Sequence, residues 1–172
     1  PRTDTTEKLV ASRYGDNPQV RYVQEPNKGL SHARNCALEE ARGEIVSFTD
    51  DDVLVDPWWL NGVANSFLQD EKLVCVNGLT IPAELNTQAQ MLFEEHSGFN
   101  KGFHPLAYDM QENRPDRAFY PFSAGLFGTG ANMSIRKAII QKEGGYDTAL
   151  GAGTPSRGGE DIAMYVHLLL KG

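Results

Sequence analysis

The chain has 172 residues, 40% hydrophobic and 23% charged, enough for one domain with a substantial core and too few for two ordinary ones. Its formal net charge of −7 argues against sequence-independent nucleic-acid binding, which rests on neutralising phosphates with Lys and Arg. No apolar run is long enough to read as a membrane span, and the opening PRTDTTEKLV lacks the basic and apolar regions of a secretory signal. A location in the cytoplasm or peripheral at the inner face of the membrane is expected, with any membrane association made only through parts outside this chain.

In chain order, TDTTEKLVASRYG reads as a helix, with Asp4 and Glu7 spaced as a capping box and Gly15 as its stop. VRYVQE is expected to be a short strand, followed by the turn PNKG. LSHARNCALEEARG carries Leu30, Ala33, Ala37, Leu38 and Ala41 on one stripe and ends at Gly43, the pattern of an amphipathic helix. EIVSFT is a strand. DPWWLNGVANSFLQD predicts a helix starting at Asp56, with Pro57 at the first position, where a missing N–H costs nothing. LVCVNGLTI is a further strand and AELNTQAQMLFEEHSGF a helix. From Gly98 to Gly125 no period is evident. ANMSI predicts a strand, RKAIIQKEGG a short helix, GAGTPSRGG a flexible loop, and EDIAMYVHLLLKG a closing helix. Strands alternating with helices predict an α/β fold, a mainly parallel sheet flanked by helices. Cys36 and Cys75, far apart in apolar patterns, read as two buried thiols.

In such sheets ligands bind at the carboxyl ends of strands, and EIVSFT ends in Asp50, Asp51 and Asp52. At an effective dielectric of about 20, two carboxylates roughly 5 Å apart repel by about 3 kcal/mol. Either water or a cation must offset that. Alternation along extended backbone turns Asp50 and Asp52 to one side and Asp51 to the other. Such a pair suits Mg²⁺ or Mn²⁺, which take one or two carboxylates and complete their shell with water and phosphate oxygens. A calcium loop of the EF-hand type does not fit, because Leu54 and Val55 occupy the positions of a ligand and of the required glycine. The plain alternative is a solvated turn, although Asp56 already serves as the cap of the following helix.

Two further clusters stand out. Glu160 and Asp161 open the last helix, where the dipole favours acids; a carboxylate beside the glycines at 151, 153, 158 and 159 also suits a general base under a mobile loop. In EPNKGLSHARN, Gly29 permits a turn conformation barred to other residues, and Lys28 and Arg34 flank a helix start, whose N–H groups attract anions. A turn with ordinary surface charges is the alternative there. His32, His96, His104 and His167 read as surface or packing residues.

Taken together and in order, NKGLSHARN, ARGEIVSFTDDD with PWWL, GTGANMSIRK, GGYD and GGED resemble the inverting nucleotide-sugar glycosyltransferases of family 2, which have the GT-A fold. The match runs over nearly the whole chain from Val20. The resemblance implies a single catalytic domain across residues 1–172. It implies a nucleotide-sugar donor and a saccharide, lipid or other hydroxyl acceptor. Asp50 and Asp52 match the motif that holds a divalent metal, Mn²⁺ or Mg²⁺, with Asp52 the direct ligand and Asp51 assisting with the donor. Asn27, Lys28 and Arg34 fall on the donor side. Gly130 would admit the sugar closely and Asn132 would bond one of its hydroxyls. Asp161 matches the base that deprotonates the acceptor, and Glu160 beside it helps to position that acceptor. Trp58 and Trp59 read as packing.

The opening strand usual in that family has no counterpart in residues 1–19, and further elements usually follow where this sequence stops at LLLKG, so the domain is expected to be incomplete at both ends. Two other readings stay open. One is a nucleotide-sugar- or carbohydrate-binding domain without catalysis. The other is a phosphotransferase of the haloacid dehalogenase type, in which the first Asp of such a motif is the nucleophile; Leu54 and the two βα units before Asp50 count against it.

Overall fold

A computed structural model describes residues 5–123 and 125–171. Among the described residues nine elements follow one another: α1 (Thr6–Tyr14), α2 (Leu30–Glu40), β1 (Ile45–Thr49), α3 (Trp59–Gln69), β2 (Cys75–Asn77), α4 (Gln88–Ser97), β3 (Asn132–Arg136), α5 (Lys137–Lys142) and α6 (Glu160–Lys171). The fold is α/β, but the sheet corrects the expectation of mainly parallel pairing. Its order is β1-β3-β2, and both ladders are antiparallel. The βαβ reasoning does hold in one respect: β1 and β2 each oppose β3, so they share a direction across α3. The chain then inserts β3 between them. A local alternation of strand and helix cannot reveal a strand that arrives from so much later.

The β3 strand is the centre of the core. Met133, Ser134 and Ile135 are fully buried, so both faces are covered. On one face Val46 pairs with Ile135 and Phe48 with Met133. These pack with Leu38 of α2, Ile140 of α5, Tyr146, and Met164, Tyr165 and Leu168 of α6. On the other face the hydroxyls of Ser47 and Ser134 bond each other at 2.8 Å, and the Arg136 guanidinium lies 5.0 Å from the ring centroid of Phe67 in α3. Truncating a side chain as enclosed as Ile135 typically costs about 2–5 kcal/mol.

Other expectations shift for local reasons. Residues 20–25 form no strand among the described residues. A strand exists only through a neighbour, and no ladder in the sheet reaches this segment. Val20 and Val23 are exposed, and Arg21 instead pairs with Glu40 at 2.9 Å. Asp4, half of the expected capping box, lies outside the described residues. A capping box does form at α4, where Thr87 and Gln90 bond each other's backbone N–H groups. The third helix starts at Trp59 rather than Asp56, because Asp56 closes a turn first, its Oδ1 accepting from Trp58 N at 2.7 Å. Neither α1 nor α4 buries any residue. Cys36 and Cys75 are free and half-buried, and burial pushes the Cys75 thiol up to about 12.

Candidate active site

The β1 strand ends at Thr49, opposite Asn132 at the start of β3. Asp50, Asp51 and Asp52 therefore emerge at the end of the sheet where the GTGAN segment enters it. All three are exposed. Among the described residues, no side-chain hydrogen bond or ion pair ties any of them to the rest of the chain. No three His, Cys, Asp or Glu side chains among the described residues gather into a metal-binding group. Two exposed carboxylates that are free of internal partners fit a hard cation of the Mg²⁺ or Mn²⁺ kind, which leaves most of its shell to water and phosphate. They do not fit a closed structural cage.

The Trp pair that follows divides. Trp59 donates its Nε1–H to Asn132 Oδ1 at 2.8 Å, fixing α3 to the start of β3. Trp58 is 73% exposed, so the packing expected of it is not found. Asn132 also donates Nδ2–H to Leu79 O at 3.1 Å, and Gly78 N–H donates to Asn132 O at 3.2 Å. Its amide thus binds α3 and the segment after β2 to the central strand. One lone pair and one N–H of that amide are left over.

Two residues before Asn132, the same segment reaches the second acidic site. Gly130 N–H donates to Asp161 Oδ2 at 3.0 Å, and Ile162 N–H donates to Asp161 Oδ1 at 2.8 Å. Each carboxylate oxygen retains acceptor capacity for a further hydrogen. Next to it, Glu160 Oε1 accepts from Arg34 Nη1 at 2.9 Å, and both side chains are only 7% exposed. The Arg34 guanidinium lies 5.3 Å from the Tyr146 ring centroid and 5.9 Å from that of Phe48. A Cβ added to Gly130 would fall 2.4 Å from Arg34 Nη2. The close approach expected at Gly130 is therefore made by this chain's own arginine.

Asn27 and Lys28 are exposed. The Asn27 backbone N–H and its Nδ2–H both donate to Glu25 Oε1 at 2.7 Å. Gly29 caps α2 with φ of 135°, the turn conformation expected of it. The start of α2 is not open to an anion as expected. Leu30 N–H donates to Ala152 O at 2.9 Å, and Ser31 Oγ–H donates to Leu150 O at 2.8 Å. The loop before α6 sits on it.

Sequence reasoning gave no role to Asn35, whose amide makes a reciprocal pair with Tyr146: Nδ2–H to Tyr146 O at 2.9 Å and Tyr146 N–H to Oδ1 at 2.8 Å. Its place directly after Arg34, with the glycines of GGYD supplying room, was the available signal; a Cβ on Gly145 would fall 2.6 Å from Asn35 Oδ1. Tyr165 was also missed. It donates to Asn77 Oδ1 at 2.7 Å. Burial pushes the phenols of Tyr146 and Tyr165 far up, so at neutral pH both are donors within the frame rather than bases. No helix among the described residues is long and apolar enough to cross a membrane.

The family model for glycosyl transferase family 2 matches residues 1–144. The chain is 31% identical over 174 aligned positions to a chondroitin synthase of Escherichia coli, covering 82% of this chain and 25% of that protein. It is 35% identical over 74 positions to a chondroitin synthase of Pasteurella multocida, covering 43% of this chain and 8% of that protein. A glucosyl-dolichyl phosphate glucuronosyltransferase of Haloferax volcanii is 25% identical over 144 positions, covering 83% of this chain and 42% of that protein. The chain thus spans less than half the length of each of these relatives. No solved structure matches it.

Proposed function

The chain belongs to glycosyl transferase family 2, and from that premise we propose that it carries out, in a GT-A type fold, direct transfer of a sugar from a nucleotide-diphosphate donor to an acceptor hydroxyl with inversion. The observation that supports this best is the GTGAN segment. Its middle residue, Gly130, holds Asp161, and its last, Asn132, pairs with the residue before the acidic turn. One short stretch of backbone fixes both acidic sites relative to each other, as displacement at a single carbon requires.

In this reading Asp50 and Asp52 would hold a divalent cation, Mn²⁺ or Mg²⁺, with Asp52 the direct ligand. When bound, that cation supplies stabilisation of the charge developing on the departing diphosphate. Asp51, Asn27 and Lys28 stand exposed for the rest of the donor, and the spare lone pair and N–H of Asn132 for a sugar hydroxyl. Asp161 takes the acceptor's proton on whichever oxygen lone pair its two backbone donors leave free, so the hydroxyl oxygen attacks as an incipient alkoxide. The donor and acceptor classes follow the relatives, which are named for chondroitin synthesis and for glucuronosyl transfer involving a glucosyl-dolichyl phosphate. A saccharide or a lipid-linked saccharide is the acceptor class proposed.

Family membership sets aside the phosphotransferase reading, in which Asp50 would be a nucleophile. Asp161→Asn in the native protein separates enzyme from mere binder. Transfer should fall by about 10²–10⁴-fold while donor affinity stays within twofold. Transfer at the wild-type rate by this variant would remove Asp161 as the base.

A further inference from the structure

Arg34 was expected on the donor side, yet its guanidinium is buried and committed to the acceptor side. It meets the last helix by two routes. Its Nη1 is 2.9 Å from Glu160 Oε1, which fixes the first residue of α6 directly before Asp161. It also forms the floor under Gly130: a Cβ there would lie 2.4 Å from Nη2, 2.9 Å from Nη1 and 3.0 Å from Cζ. Gly130 is the residue whose N–H holds Asp161 Oδ2. The guanidinium itself is held by the rings of Tyr146 and Phe48, and neighbouring Asn35 locks the Tyr146 backbone. The ion pair of Arg34 thus ends on Glu160 and its steric contact on Gly130, the two groups that flank Asp161.

We propose that Arg34 is a positioning residue for Asp161, not a ligand of the donor phosphates. This rests on the reading of Asp161 as the base. Arg34 acts on Asp161 through two of its neighbours, Glu160 and Gly130. The ion pair sets where the helix begins, and the planar guanidinium sets the depth of the Gly130 amide. Lysine, a point charge on a flexible stem, can replace the first function in part and cannot replace the second.

The test uses Arg34→Lys in the native protein, with hydrogen exchange of the peptide spanning Gly130 followed by mass spectrometry. Alongside it run transfer kinetics and calorimetry with UDP, GDP and dTDP, each with Mn²⁺. Exchange at that peptide should speed up by about tenfold or more, and kcat should fall by about 10²-fold, the usual effect of a misplacement near 1 Å. Nucleoside-diphosphate affinity should stay within twofold. Gly130→Ala provides a second variant that keeps both charges and displaces only the guanidinium; it should give the same pattern if Arg34→Lys fails to fold. A tenfold loss of diphosphate affinity with kcat kept would make Arg34 a donor ligand and overturn the proposal. Unchanged exchange and unchanged kcat in both variants would overturn it equally. If Asp161→Asn proves fully active, the base assignment falls, and the exchange measurement still decides whether Arg34 holds Asp161.

Discussion

Asp50, Asp51 and Asp52 are exposed and have no side-chain bond to the rest of the described chain, whereas Glu160 and Asp161 are tied down at three points, by Arg34, Gly130 and Ile162. Both segments are short runs of acid at the same end of the sheet. Their surroundings assign them different work. A carboxylate without internal partners in water keeps its coordination sphere for something that arrives, and a carboxylate held by two N–H groups has its orientation fixed in advance. The first arrangement costs repulsion, which water dilutes; the second costs desolvation, which is offset only while every partner is present.

The comparison is broken most severely at the buried pair. Glu160→Ala leaves the Arg34 charge enclosed without a counter-ion, and the unfolding free energy in denaturant should drop by about 3–5 kcal/mol. A drop below about 1 kcal/mol would show that the pair is not enclosed as described. The exposed site should respond in the opposite sense. Asp52→Asn should leave the unfolding midpoint where it is and weaken Mn²⁺-dependent donor affinity by at least tenfold, about 1.4 kcal/mol. Equal affinity in that variant would remove Asp52 from the proposed metal site. Asp51→Asn should change stability by no more than about 0.5 kcal/mol, with any change a gain, since it relieves repulsion between neighbours; a measurable loss would reveal a structural role for the acidic turn.

A smaller effect sharpens the same contrast in the irregular stretch. Asp109 is held below its ordinary value of 3.8, first by the backbone N–H of Asn113 and then by that of Gln111, and Tyr120 donates to its backbone carbonyl at 2.6 Å. A carboxyl lowered by folding contributes stability that is present above its unfolded value and lost as pH falls through the folded one. Residues 109–120 should therefore keep their hydrogen-exchange protection down to the ordinary carboxylate range and lose it only below about pH 3.8. Asp109→Asn should remove that acid transition, and its persistence would assign it to another group.

Most of the elements were legible because they are local. The stripe from Leu30 to Ala41, the apolar run of EIVSFT and the alternation in ANMSI are each read within a few residues, and α2, β1 and β3 lie there. What the sequence hid was non-local. Ser47 and Ser134 are 87 positions apart, and nothing near either one indicates that β3 enters between β1 and β2. The same holds for VRYVQE, which has the composition of a strand and no neighbour in the sheet. At the site, the acidic motifs and Gly130 could be picked out by residue type and order. The burial of Arg34 could not, because its partner lies 126 positions away and an arginine near a helix start looks like a surface cation in sequence. Tyr146, Asn35 and Gly145 explain how the interior accepts it.

In the proposed mechanism the acidic turn receives metal and donor independently of Asp161. The direct measurement is a calorimetric titration of nucleotide sugars into the native protein carrying Asp161→Asn, with and without Mn²⁺, so that donor binds without being consumed. Heat of binding with at least one donor, present with Mn²⁺ and lost when the metal is chelated, is the result predicted. Binding of equal strength without metal, or none with any donor under either condition, would contradict it.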